Sequence, residues 1–205
     1  MQLTSAFPTL IAEARNPHGE PMNRDLAAFV RERERMDRDQ SPFTTVNHGW
    51  QSGLDLLDAP LPLVKAFRGW INSQIEAYLA EWGRASFTAG APRQFRYEYT
   101  GWAVVLRTGG FQHEHVHSKT DLVGVYYAEV PPPAPGANPG ALVLLDPRAG
   151  RVAARSVWES VQHTVLPEAG KLVLFPSFVP HRVDQLTAPG ERISINFDVT
   201  LYGME

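Results

Sequence analysis

The stretch FQHEHVHSKTDLVGVYY, residues 111–127, places His113, His115 and His117 on alternate positions. Residues two apart share a face of an extended strand, so the spacing predicts three imidazoles projecting the same way. Neutral imidazoles packed side by side gain little and cost desolvation when buried without partners. Lone pairs that converge on a cation make the arrangement favourable, because imidazole suits iron, zinc, copper and nickel. An exposed polar strand edge accounts for His-x-His equally well when the motif stands alone.

A second stretch tips the balance. In PEAGKLVLFPSFVPHRV, residues 167–183, an apolar strand runs into a proline-punctuated turn, and His181 follows at once. Two ligands close in sequence and one remote can occupy one face of a metal and leave the opposite face open. Farther on, ERISINFDV puts Arg192 and Ser194 on one strand face and Ile193 and Ile195 on the other. An arginine turned into an apolar interior is costly without an anion. Its planar fork suits a carboxylate, and a neighbouring hydroxyl adds a third contact. The plain alternative is an outward arginine paired with Glu191 or Asp198. Asn196 shares the face of Arg192, and Tyr126 and Tyr127 point oppositely, so that one of the two is the candidate for the pocket side.

These side chains need a scaffold. Phe7 to Glu13 reads as a short strand. Asn23 can cap a helix to about Met36, and a second helix is expected from Pro62 to a stop at Gly83, with Leu63, Phe67, Ile71, Ile75, Tyr78, Leu79 and Trp82 as its apolar stripe. From Arg93 onward the period becomes two: Phe95, Tyr97 and Tyr99, a break at Gly101, then Trp102, Val104 and Leu106. Further strands are expected at 121–129, 141–145, about 152–165, 171–175 and 192–200. The segment PPPAPGANPG, 131–140, reads as a loop. Short strands separated by Gly/Pro turns, with helices at one end of the sequence, predict a β-sandwich or barrel carrying a helical layer.

A chain of 205 residues with 43% hydrophobic and 20% charged residues fits one soluble domain. A net charge of −3 argues against nucleic acid as a partner, since phosphate binding needs a basic face. The absence of cysteine removes disulfides, thiolate metal sites and thiol nucleophiles. No apolar run reaches the length that spans a bilayer, and the first residues lack a signal-peptide pattern, so no membrane is expected and cytoplasmic is the default.

In order and spacing, His115-Val116-His117, Val123 to Tyr127, Asp146-Pro147-Arg148, Gly170 to Val183 and Glu191 to Phe197 resemble a small bacterial and phage branch of the iron(II)- and 2-oxoglutarate-dependent oxygenases; Ala6 to Ile11 and Gly49 to Ser52 add to the likeness. The resemblance implies a mainly β fold, a double-stranded β-helix (jelly roll, cupin-like) over 93–205, with residues 1–92 as an N-terminal strand and helices packing on it in a single domain. It further implies that His115, His117 and His181 hold Fe(II) as the catalytic centre. Arg192 and Ser194 would clamp the distal carboxylate of 2-oxoglutarate, with Tyr127 and Asn196 lining the pocket. Dioxygen would be the other co-substrate, succinate and CO2 the co-products, and hydroxylation of a small molecule or peptide the outcome.

One departure matters. The superfamily's usual triad is two histidines and a carboxylate, with His-x-Asp where this chain has His115-x-His117. Three histidines are expected, with Asp121 as the alternative carboxylate if its loop folds back and Glu114 only if the strand bulges. His113 is expected at the rim, and His18, His48 and His163 in surface or packing roles. Two other readings are a three-histidine dioxygenase that does not use 2-oxoglutarate and a non-catalytic, cupin-like ligand-binding barrel. Substrate is expected to meet loops 107–112 and 131–140, and the amphipathic second helix could pack against a partner copy in a homodimer.

Overall fold

A computed structural model describes residues 9–37, 45–86, 94–132, 134–148 and 160–204. In chain order the elements are β1 (Ala12–Arg15), α1 (Gly19–Met36), β2 (Val46–Gln51), α2 (Pro62–Ser86), β3 (Gln94–His115), β4 (Leu122–Glu129), β5 (Leu142–Leu145), β6 (Gln162–Val165), β7 (Lys171–Pro176), β8 (His181–Val183) and β9 (Glu191–Met204). The strands form one antiparallel sheet in the order β1-β7-β4-β9-β3-β8-β5-β6, with β2 added to β3. Two long strands are its spine: β9 pairs with β3 from Gln94↔Met204 to Arg107↔Glu191 and with β4 on its other side.

The period-two pattern sorts side chains into two cores. On one face Ala103, Val105, Tyr126, Ile193, Ile195 and Phe197 pack with Leu26 and Val30 of α1 and Phe67, Ile71 and Ile75 of α2. On the other, Trp102, Val104, Leu106, Val123, Val125, Tyr127, Leu142, Phe175 and Val183 form an inner cluster. The helices therefore cover the outside of a curled sheet. Ion pairs add to this layer, since Arg31 of α1 bonds Glu129 and Glu191 while Arg107 bonds Glu34.

Several boundaries differ from expectation. The first strand lies at Ala12–Arg15, and residues 1–8 are outside the described set. Helix α1 starts at Gly19, after His18, which makes no side-chain cap. Asn23 is not a cap but a buried helical residue that accepts from the Tyr126 hydroxyl. Gly83 does not stop α2, which runs to Ser86; packing of the helix against the sheet outweighs one unfavourable residue. Gly101 does not break the strand either. A Cβ there would lie 2.3 Å from Leu57 Cδ1, so the glycine admits the 3-10 turn Leu56–Asp58 against the sheet. Gly124 has a similar role: a Cβ would lie 2.1 Å from Phe197 Cζ, whose ring covers the glycine from the neighbouring strand. The strand expected at 152–165 occupies Gln162–Val165, with residues 149–159 outside the described set. Strands β2 and β8 were not expected from the sequence.

Among the described residues no helix is long and apolar enough to cross a membrane.

Candidate metal and 2-oxoglutarate site

Strand β3 carries His115 to the sheet's inner side, and β8 begins with His181 directly opposite it in register. A shift in register falls between Gln112 and His115. That bulge adds a residue and changes the phase of the strand, so Gln112 and His115 both line one cleft while His113 is exposed and edges against Phe111. The expectation of three histidines on one face is thus corrected, and His113 lies away from the other two.

His117 lies just past the strand end. Its N–H donates to Ser177 O, Asp121 N–H donates to Val199 O, and Thr120 Oγ1 also donates to Val199 O. These bonds fold the 117–121 turn back over β9 and return His117 to the cleft. One ligand atom each of His115, His117 and His181 lies within 4.8 Å of the other two. Ring centroids are 4.3 Å apart for His115–His181, 5.1 Å for His117–His181 and 5.2 Å for His115–His117.

Each ring has its Nδ1 on an oxygen: His115 on His113 O at 2.7 Å, His181 on Val179 O at 3.0 Å and His117 on Asp198 Oδ1 at 2.6 Å. Acceptors at all three Nδ1 atoms fix the tautomer and leave the Nε2 lone pairs free, the usual way in which a metal-binding histidine is oriented. Burial, reinforced by the charge of His115, pushes the pKa of His181 down to about 3. Burial also lowers that of His115, against the opposing effect of its bond to the His113 carbonyl. Both rings are therefore held in the form that binds a cation. Trp102 stacks on His117 at 5.8 Å and Phe175 meets His181 edge-on at 4.9 Å, so two rings of the inner core also wall the cluster.

The carboxylate alternatives do not reach this point. Asp121 Oδ2 accepts from Leu201 N at 2.7 Å, and Glu114 is exposed; neither joins the histidine cluster.

Behind the histidines, Arg192 is 1% exposed. Neither expected partner takes it: Glu191 bonds Arg31 and Arg107, and Asp198 bonds His117. Its Nε and Nη1, the Ser194 hydroxyl and the Tyr127 hydroxyl are buried without a hydrogen-bond partner among the described residues. The Arg192 guanidinium lies 4.8 Å from the Tyr127 ring centroid. Four orphaned polar atoms together in an apolar interior would be expensive in a finished core; they fit a polar ligand. Arg192, Asn196 and the three histidines line one cleft whose walls are Trp102, Val123, Val125, Leu142 and Val183. Sequence reasoning named Asp198 only as a possible partner of Arg192 and missed its place beside His117, although it lies at the same strand parity as Arg192, Ser194 and Asn196; that parity was the available signal.

Residues 100–198 match the model of the family described as "Putative 2OG-Fe(II) oxygenase". Among curated proteins there is no significant match to the sequence. Solved structures share the fold. A prolyl-4-hydroxylase from Pseudomonas putida is 20% identical with a TM-score of 0.62, over 94% of this chain and 93% of its own. A prolyl hydroxylase from Trichoplax adhaerens, in complex with a hypoxia inducible factor peptide fragment, is 14% identical with a TM-score of 0.64, over 93% of this chain and 83% of its own. HygX from Streptomyces hygroscopicus, with nickel and 2-oxoglutarate bound, is 13% identical with a TM-score of 0.61, over 94% and 83%. The curled antiparallel sheet is thus a double-stranded β-helix, and the family and these neighbours are 2-oxoglutarate-dependent oxygenases. The stretch of chain that carries all three histidines and Arg192, residues 100–198, is thus similar to the 2OG-Fe(II) oxygenase family.

Proposed function

We propose that this protein is an iron(II)- and 2-oxoglutarate-dependent dioxygenase that hydroxylates a small-molecule or peptidyl substrate, releasing succinate and CO2. The observation that carries the reading is a buried guanidinium with two unpaired donors facing the same cleft as three histidines whose Nδ1 atoms are already occupied.

In this reading His115, His117 and His181 hold the iron through Nε2. Arg192 receives the distal carboxylate of 2-oxoglutarate in two charge-assisted hydrogen bonds, with Ser194 and Tyr127 donating from either side and Asn196 lining the cleft. Bound iron with the keto acid supplies dioxygen activation and oxidative decarboxylation. The chain itself fixes the keto acid's position, presents one open face of the histidine set and keeps water from the cleft with Trp102, Val123, Val125, Leu142 and Val183. A three-histidine dioxygenase that does without 2-oxoglutarate has no use for Arg192, which favours the keto-acid reading. Prolyl hydroxylases and a structure holding hygromycin B occur among the neighbours, so both a peptide and a small molecule are compatible with the fold.

The test is turnover. Purified protein with Fe(II), ascorbate, dioxygen and 2-oxoglutarate should form succinate slowly without substrate and faster with it. No succinate above an iron-free control, from protein that binds iron, would refute the proposal.

A further inference from the structure

Each of the three histidines has an oxygen on Nδ1, yet the three oxygens are not equivalent. Those on His115 and His181 are backbone carbonyls, whereas the one on His117 belongs to a carboxylate, Asp198, at 2.6 Å. The contact is short for N–H···O, as expected when the acceptor is ionised. It is also partly screened from water, since the two side chains are 11% and 26% exposed.

The fold sets this contact up from both sides. Asp198 lies on β9 between Thr100 and Val123. The bonds from Asp121 and Thr120 to Val199 O tie the turn after His117 to the neighbouring residue of the same strand. His117, which no ladder holds, is thereby brought to Asp198, and Trp102 stacks on its other side.

We propose that Asp198 is a positioning residue for the histidine cluster and supplies, through His117, the negative charge that no ligand of the cluster carries. This rests on the functional reading above. A neutral set of three imidazoles binds a divalent cation with no charge compensation. A carboxylate on the far nitrogen of one ring makes that ring a stronger donor and holds its tautomer with Nε2 unprotonated. Free histidine side chains favour the opposite tautomer, so without Asp198 the ring would present an N–H to the cation.

The test uses Co(II) titration of metal-free protein at one pH, beside 15N NMR of the His117 ring without metal. Wild-type protein should bind Co(II) and show His117 protonated at Nδ1. D198N keeps size and shape but loses the charge. It should bind Co(II) about 10- to 100-fold more weakly, the range found for outer partners of metal ligands, while its metal-free melting temperature stays at the wild-type value. D198E should recover part of the affinity. D198N binding Co(II) as tightly as wild type would overturn the proposal. So would weaker binding that tracks a matching loss of metal-free stability with the His117 tautomer unchanged. Should D198N not fold, the wild-type ring decides: a proton on Nε2 of His117 refutes the assignment. Wild-type protein that does not bind Co(II) would remove the functional reading itself.

Discussion

Replacing Arg192 with methionine should separate ligand binding from fold stability, and in opposite directions. Arg192 is 1% exposed, and its Nε and Nη1 have no hydrogen-bond partner among the described residues. A buried charge without a partner costs stability, and apolar replacements of similar volume for buried ionic groups are often neutral or favourable by about 1–4 kcal/mol. Metal-free, ligand-free R192M should therefore melt at the wild-type temperature or several degrees above it, at roughly 2–4 °C per kcal/mol for a chain of this size. Binding of 2-oxoglutarate should behave differently. Removing one member of a buried, hydrogen-bonded charge pair costs about 2–5 kcal/mol, which is roughly 30- to 4,000-fold in Kd at about 1.4 kcal/mol per decade. Anaerobic calorimetric titration of the Fe(II)-loaded protein with 2-oxoglutarate measures one quantity and thermal denaturation the other. Binding by R192M within threefold of wild type would refute the clamp. A melting temperature well below wild type in the ligand-free protein would show that Arg192 is satisfied without the keto acid.

Four further outcomes are expected. His181→Ala should abolish metal retention, read by metal analysis after gel filtration, while circular dichroism keeps its β signature. In metal-free protein His181 has a native pKa of about 3 against about 6.5 unfolded, so between those values the unfolded chain binds a proton that the native one does not. Stability should be complete above about pH 6.5 and fall by roughly 1.4 kcal/mol per pH unit below it on this account, and chemical denaturation should show that slope reduced in His181→Gln. Tyr127→Phe should weaken 2-oxoglutarate binding by about 1.5–3 kcal/mol, the usual worth of a hydrogen bond to a charged group, and a titration indistinguishable from wild type would remove Tyr127 from the clamp. Gly124→Ala would force its Cβ into the Phe197 ring at 2.1 Å, so a destabilisation of about 1–3 kcal/mol or more is expected by urea denaturation, relieved in part by a compensating Phe197→Leu.

Much of this was legible because period-two alternation survives in the chain. The even residues Arg192, Ser194 and Asn196 and the odd residues Ile193, Ile195 and Phe197 fall on opposite faces as the pattern predicts, and Tyr126 and Tyr127 divide the same way. The failures have physical causes. Alternation is blind to a bulge, so the phase change between Gln112 and His115 was invisible, and His113 was grouped with the wrong neighbours. Strand β8 is three residues long, too short to show a period, yet it carries His181. Strand β2, VNHGWQ, lacks a clear apolar alternation and owes its conformation to pairing with β3. Asn23 has the chemistry of a cap, but a tertiary partner, Tyr126, claims its side chain. Asp198 entered the sequence reading only as an alternative partner for an outward Arg192, because sequence neighbours suggest themselves first; its actual partner, His117, is 81 residues away.

The His115↔His181 register pair has a consequence for how the protein reaches its working state. Those two residues lie far apart along the chain, and the second belongs to a strand of three residues held between β3 and β5. Neither could grip an ion until that short strand has docked. An ion captured afterwards would act as a clasp, resisting the fraying of the smallest piece of the shell. Loading with metal should then slow hydrogen exchange most at Val183, in the short strand that carries His181, and least along the long β3–β9 ladder.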